Sequence, residues 1–342
     1  MSIRLKDIAQ DLNVSVVTVS KVLRNHTDIG EATRERVLRR MKELNYRPNL
    51  AARTLVTGRT YMVGLVVPGL MHPFFAAIAK QISKEIRPHG YSLVIASSEE
   101  DPALERQEID LLLSRQVDVL IIASAQGTTE SFRDIESRNV PYVLIDRLLP
   151  GLVADFVGID DELAGYLATE HLIAQGYCRI AHIRGPAFSN GDARHLGFTR
   201  ALHAHGHKVQ PKYVVAETAI DDCGDVSGYD AMNELLKRTP RPDAVFCFND
   251  QAAIGAMKAL LDAGLRIPHD VALMGVGNLQ HSELLRVPLS TVDQDSAAIG
   301  IRAARLALKL IAAKARPKAT SIILKPALVI RESTRGVLKR KL

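Results

Sequence analysis

The sequence predicts an α/β protein, with a small N-terminal helix-turn-helix headpiece ahead of a core made of two parallel-sheet subdomains. Three observations predict it. Residues 1–60 carry twelve Lys and Arg against six Asp and Glu, a net of +6, whereas residues 61–342 carry 32 of each. From residue 61, short apolar runs alternate with amphipathic stretches, the pattern of parallel strands covered on both faces. That alternation runs through twice, about four units in each half, in a chain longer than one core usually supports. A basic head on a neutral body points to a polyanion at one end and a different task at the other.

The headpiece begins with residues 5–12, which place Leu5, Ile8, Ala9 and Leu12 on one helical face. Asn13-Val14-Ser15 makes the turn, and Ser15 is placed to cap the next helix. Val19, Val22 and Leu23 of that helix face inward. Val16, Val17, Thr18 and Lys21 are left outside. An exposed valine pair suits thymine methyl groups in a major groove, with Lys21 reaching a guanine or a phosphate. The bland alternative is a helical hairpin with a solvated basic face. A third helix, about residues 31–44, carries Arg34, Arg36, Arg39, Arg40 and Lys42 over an apolar stripe of Val37, Leu38, Met41 and Leu44. Residues 50–58 read as a short helix capped by Asn49 and stopped at Gly58, too short to be stable alone.

Strands are expected at Met62–Val67, Ser92–Ala96, Val119–Ala123 and Tyr142–Ile145, then at Ile180–Ile183, Tyr213–Ala216, Ala244–Phe248 and Val271–Met274. Helices are expected at Pro102–Ser114, Asp161–Ala174, Gly228–Lys237 and Gln251–Asp262. The two halves meet near residue 161, and Thr291–Asp293 with Asp295–Lys314 cross back between them near 291. The run around Met62–Met71 is about half the length of a membrane span. A charged helix starts where the apolar region of a signal peptide would lie. Cys178, Cys223 and Cys247 show neither metal-ligand spacing nor a disulfide framework. A cytoplasmic, nucleoid-associated protein is expected, without a metal or cofactor. His203-Ala-His205-Gly-His207 straddles a helix end more naturally than it chelates, and Asp221-Asp222 with Asp225 lacks a full calcium-loop pattern.

Open parallel sheets bind ligands beyond the carboxyl ends of their strands, so candidate cleft residues sit there. His72-Pro-Phe74-Phe75 follows the first strand, where the aromatics stack on a ligand ring or belong to the core. Asp146-Arg147 ends the fourth strand as a ligand contact or an ion pair. Arg194 reads on its own as a solvated helix arginine, and in Asn249-Asp250 the aspartate reads as a possible helix cap.

LKDIAQDLNVSVVTVSKVLRN followed by TRERVLRRMKELNYRPNLAARTL resembles the headpiece and hinge of the lactose-repressor (LacI/GalR) family of bacterial transcription regulators. The resemblance continues to roughly residue 335. It implies a DNA-binding headpiece over 1–48, a hinge helix and linker over 49–60, and an effector-binding, dimerising core over 61–342 like the periplasmic sugar-binding proteins. It also implies operator contacts by Val16, Val17, Thr18, Lys21, Asn49 and Arg53, with Leu55 wedged into the minor groove. Arg194 with Gly197-Phe198 matches the family's R-x-x-G-F segment, whose arginine clamps the effector. His72, Phe74, Phe75, Asp146 and Asn249 fall on or beside effector-contacting positions. Family ligands either loosen or order the hinge.

Two departures touch the cleft. Gly275-Val276-Gly277-Asn278 stands where the family reads Gly-aromatic-Asp, and Cys223 stands where several relatives carry an aromatic. Without an aspartate at 277, Arg194 is expected to lack its carboxylate neighbour and to favour an acidic or phosphorylated sugar, unless Asn278 or Asp250 fills the gap. The expected function is a homodimeric repressor whose hold on a near-palindromic operator is set by a sugar-like effector. A solute-binding protein without a regulatory role is the rival reading. No nucleophile–base constellation supports an enzyme.

Overall fold

Ser15 begins the second helix as expected: its hydroxyl accepts from Thr18 N at 3.0 Å. The structure is a computed structural model that describes residues 3–23, 27–46, 54, 58–216 and 225–335. Contacts divide the chain into two units, Met1–Thr60 and Tyr61–Leu342. The first contains α1 (Leu5–Asp11), α2 (Val16–Leu23) and α3 (Glu31–Glu43). Asn13 turns the chain between α1 and α2 in the left-handed region, at φ 54°, which asparagine tolerates. Ile8, Ala9, Val19, Val22, Val37 and Met41 form the small core. Leu38 does not join it. It is 48% exposed, because a helix that turns Val37 and Met41 inward carries the residue between them off that face.

Among its described residues, the second unit holds two six-stranded sheets. The first contains β1 (Met62–Val67), β2 (Ser92–Ser97), β3 (Val119–Ile122), β4 (Tyr142–Ile145), β5 (Asp155–Ile159) and β11 (Ser321–Leu324), in the order β11-β5-β4-β3-β1-β2. Every pairing in it is parallel. The second contains β6 (Ile180–Arg184), β7 (Val214–Ala216), β8 (Ala244–Cys247), β9 (Ala272–Val276), β10 (Ser290–Asp293) and β12 (Ala327–Val329), in the order β12-β10-β9-β8-β6-β7. There β12 runs antiparallel to β10. Around them lie α4 (Pro73–Ile86), α5 (Pro102–Ser114), α6 (Glu130–Ser137), α7 (Asp161–Ala174), α8 (Ser189–Ala204), α9 (Asp225–Leu236), α10 (Asp250–Asp262) and α11 (Ser296–Ala312). None of the described helices is long and apolar enough to cross a membrane.

Among the described residues, the chain passes between the lobes three times. It leaves the first sheet after β5, and α7 packs along α8 in the second lobe. Thr291–Asp293 does not itself cross back, because it pairs with β9 inside the second sheet. The return is made by α11, which packs on α4. Strand β11 then completes the first sheet and β12 the second. The α7–α8 crossing requires glycine at its centre. A Cβ on Gly165 would lie 2.1 Å from Arg194 O, and one on Gly197 would lie 2.0 Å from Glu162 O.

His182 lies fully buried on β6. Its ring stacks on Phe246 at 4.7 Å and on His195 at 5.4 Å. Nδ1 donates to Phe246 O at 3.0 Å, which leaves Nε2 as the unprotonated nitrogen, without a partner among the described residues. Burial pushes its pKa down to about 3. The folded protein therefore excludes a proton that the unfolded chain binds below about 6.5, so stability falls as the pH drops from there toward 3. At pH 5 the loss from this residue is about 2 kcal/mol. Urea unfolding of His182→Gln, which keeps a donor but cannot titrate, is expected to lack that share of the acid sensitivity. An unchanged pH slope would assign it to other groups.

Candidate functional site

In the headpiece, Val16 and Val17 are 45% and 62% exposed at the start of α2, with Thr18 and Lys21 half-buried beside them. The arginines of α3 are partly committed elsewhere. Arg40 bonds Asp11 at 2.6 Å and Glu43 at 3.0 Å, and Arg36 donates to Leu12 O at 3.2 Å. The contacts with Asp11 and Leu12 tie α3 to α1 and its C-terminal end. The Lys21 ammonium donates to the Asp28 carboxylate, a partner the sequence reading did not find. Asn49, Arg53 and Leu55, and Cys223 in the core, lie outside the described residues.

In the core, strand order locates the cleft. Strand β1 lies between β2 and β3, and β6 between β7 and β8, so each sheet reverses direction of growth there. The loops that leave the carboxyl ends of these strands form the crevice. His72 caps α4, its Nδ1 accepting from Phe74 N at 3.3 Å. Burial, and then the charge of Arg147, push its pKa down to about 4, so the ring is neutral at pH 7. Phe74 and Phe75 are only 4% and 5% exposed and belong to the main hydrophobic core.

Arg194 is 2% exposed and is held on several sides. Nε donates to Asp161 at 2.8 Å, Nη1 to Phe248 O at 2.9 Å and Nη2 to Gln294 at 2.8 Å, and the guanidinium lies 4.8 Å from the centre of the Phe248 ring. The expectation that Arg194 lacks a carboxylate neighbour is therefore wrong, since Asp161 supplies one. Burial raises the Asp161 pKa to about 6 against the pull of Arg194. Arg147 is likewise matched, by both oxygens of Glu100 at 2.6 and 2.5 Å. Its Nε is a buried donor without a hydrogen-bond partner among the described residues, 3.6 Å from Asp146.

The loop after β4 also touches the second lobe. Asn190 donates to Asp146 at 3.0 Å, Leu148 N donates to Ser189 Oγ at 2.8 Å, and Arg147 lies 4.0 Å over the Phe188 ring. Asp146 reaches this position from the left-handed region, at φ 64°.

Asn249, not Asp250, caps α10, accepting from Ala252 N at 2.8 Å. Asp250 is buried beneath the next loop, where Thr291, Ser282 and Leu279 N donate to it. Asn278 is bound to Asp293 and Arg331. Neither is free to swing into the place of a missing aspartate. Gly277 is buried at φ 144°, and a Cβ there would lie 3.5 Å from the Asp250 carboxyl carbon. An aspartate at 277 would thus meet backbone strain and a second carboxylate.

Residues 4–49 match the model described as bacterial regulatory proteins, lacI family. Residues 60–331 match that of periplasmic binding proteins and sugar binding domain of LacI family. The transcriptional repressor PurR of Actinobacillus pleuropneumoniae serotype 3 (strain JL03) is 30% identical over 337 residues, covering 98% of this chain and 99% of that protein. Among solved structures, the regulator CelR in complex with cellobiose superposes with a TM-score of 0.73 at 31% identity, covering 97% of this chain and 99% of that one. The Lac repressor dimer bound to operator and the anti-inducer ONPF gives 0.84 at 27% identity, covering 98% and 99%.

Proposed function

Because the chain belongs to the lacI family of bacterial regulatory proteins, and so to the transcriptional regulators rather than to the enzymes, we propose how it works. It binds a near-palindromic operator as a homodimer in the cytoplasm, through residues 1–48 and a hinge over 49–60. A small molecule in the cleft of residues 61–342 sets the affinity. The observation that carries the reading is α2: a capped helix whose outer face is Val16, Val17, Thr18 and Lys21 at the head of a unit with net charge +6. Asn49 and Arg53 add hinge contacts, and Leu55 from each subunit enters the minor groove at the centre of the site.

Charge matching changes the preferred effector. Arg194 is paired with Asp161 and Arg147 with Glu100, so neither of these two arginines offers an uncompensated positive charge to a phosphate. The carboxylates and amides of the cleft instead suit the hydroxyls of a neutral sugar, with Arg194, Asp146, Asn249 and His72 as contacts. Dimerisation is supported by a groove of about 430 Å³ between α4 and the edge strand β2, lined by Leu70, Phe75, Ala79, Leu93 and Ile95 among others. Leu70 and the neighbouring Met71 are 55% and 71% exposed, the kind of apolar patch that a second copy covers.

The test is nuclease protection of genomic fragments by the purified protein, with neutral and phosphorylated sugars added in turn. One neutral sugar is expected to change protection without being consumed. A response confined to anionic sugars would overturn the effector assignment, and salt-insensitive binding as a monomer would overturn the whole. Within the protected site, Lys21→Ala is expected to lose about 1–3 kcal/mol and to relax preference at one base position. A uniform loss across sequences would make Lys21 a phosphate contact.

A further inference from the structure

We propose that Asp28 is a specificity-determining residue of the headpiece. Its carboxylate holds the Lys21 ammonium so that the lysine selects a base edge instead of the nearest phosphate. This rests on the reading that α2 enters the major groove.

Lys21 is the only charged residue of α2, so its state sets the electrostatics of the face that carries Val16 and Val17. Asp28 stands seven residues on, in the turn into α3, and contacts Lys21 Nζ directly. The two side chains are 38% and 52% exposed, and an ion pair that open contributes little to stability. The scaffold of the headpiece is held by other pairs, chiefly Arg40 with Asp11 and Glu43. What the Lys21–Asp28 pair changes is the behaviour of the lysine toward DNA. Attraction to phosphates is a matter of net charge and counterion release, and the Asp28 carboxylate cancels that charge locally. An ammonium has three donors. With one given to Asp28, two remain for the paired acceptors N7 and O6 that guanine shows in the major groove. The flexible four-carbon stem is also ordered before it meets DNA, so less rotamer freedom is lost on binding.

The experiment uses the full-length protein and compares wild type, Asp28→Asn, Asp28→Glu, Lys21→Ala and the double variant Lys21→Ala/Asp28→Asn. Each is titrated with operator, with operators changed at each position, and with a scrambled duplex, over a range of salt. Thermal melting checks that each is folded. For Asp28→Asn, binding to scrambled DNA should tighten and its salt dependence should steepen by about one unit of slope. Preference at the base that Lys21 reads should fall at least about fivefold. Asp28→Glu should restore that preference, and Asp28→Asn should have no effect on it once Lys21 is alanine. Equal shifts for operator and scrambled DNA with an unchanged base profile would overturn the proposal, as would an effect that persists without Lys21. Should Asp28→Asn not fold, Asp28→Glu decides, since a base profile lost with the carboxylate retained at longer reach would also overturn it. If Lys21→Ala itself leaves the base profile unchanged, Lys21 is a phosphate contact and this proposal fails, while the major-groove reading still rests on Val16 and Val17.

Discussion

Arg194→Ala is expected to cost about 3–5 kcal/mol of stability together with the effector response, because it removes one half of a buried ion pair. Asp161 would be left 10% exposed with burial and the Asp146 charge both opposing its ionisation. Phe248 O and Gln294 would each lose a donor. Loss of response in that variant alone would therefore not separate sensing from folding. Replacing both partners does separate them. Arg194→Met with Asp161→Asn removes the charges as a pair, and a matched apolar or neutral replacement of a buried pair is often close to neutral in stability. The double variant is expected to unfold in urea near the wild-type midpoint, to bind operator in the absence of effector, and to be insensitive to the sugar. A double variant that is stable and still responds would take Arg194 out of the effector site.

How much of this was legible in the sequence depends on whether the signal was local. Helices Pro102–Ser114 and Asp161–Ala174 fall where the periodicity places them, and each starts at an aspartate, Asp101 or Asp160, whose side chain accepts from the first turn. The strands buried on both faces, β3, β4 and β8, show as unbroken apolar runs. Strand β5 does not, because it opens on Asp155 and includes Gly158, where a Cβ would strike the Phe156 ring at 2.4 Å. Strands β11 and β12 lie at the sheet edges, short and half-exposed, and their places depend on non-local returns of the chain, β11 to β5 in the first sheet and β12, after that excursion, to β10 in the second. The site divides in the same way. Arg194 was reached through its motif, but its partners Asp161, Phe248 and Gln294 stand 33, 54 and 100 residues away. No spacing rule connects them. The expectation that Arg194 lacks a carboxylate neighbour came from that gap: a missing aspartate at 277 was visible, and the pairing with Asp161 was not.

Asn190→Ala is expected to weaken effector binding about tenfold, because it breaks the polar bond that carries charge between the two lobes. Asp146 follows β4 in the first lobe, and Asn190 lies in the first turn of α8 in the second. Their bond involves a carboxylate, and a hydrogen bond to a charged group contributes about 1.5–3 kcal/mol. The Leu148 N to Ser189 Oγ bond beside it joins neutral groups and contributes about 0.5–1.5 kcal/mol. Together with Arg147 over Phe188, they join the two lobes beside the cleft. If the ligand binds the closed arrangement, its apparent affinity falls in proportion to the closed fraction. Ser189→Ala should therefore act in the same direction as Asn190→Ala but less strongly. The two should also be less than additive, since lobes already parted by the first change have little of the second bond left to lose. Calorimetric titration of the sugar into each single and the double variant measures this, with anisotropy of labelled operator following the response. Full additivity would mean that the two contacts report on separate local packing. Unchanged sugar affinity in Asn190→Ala would mean that the cleft binds its ligand without drawing on the closure between Asp146 and α8.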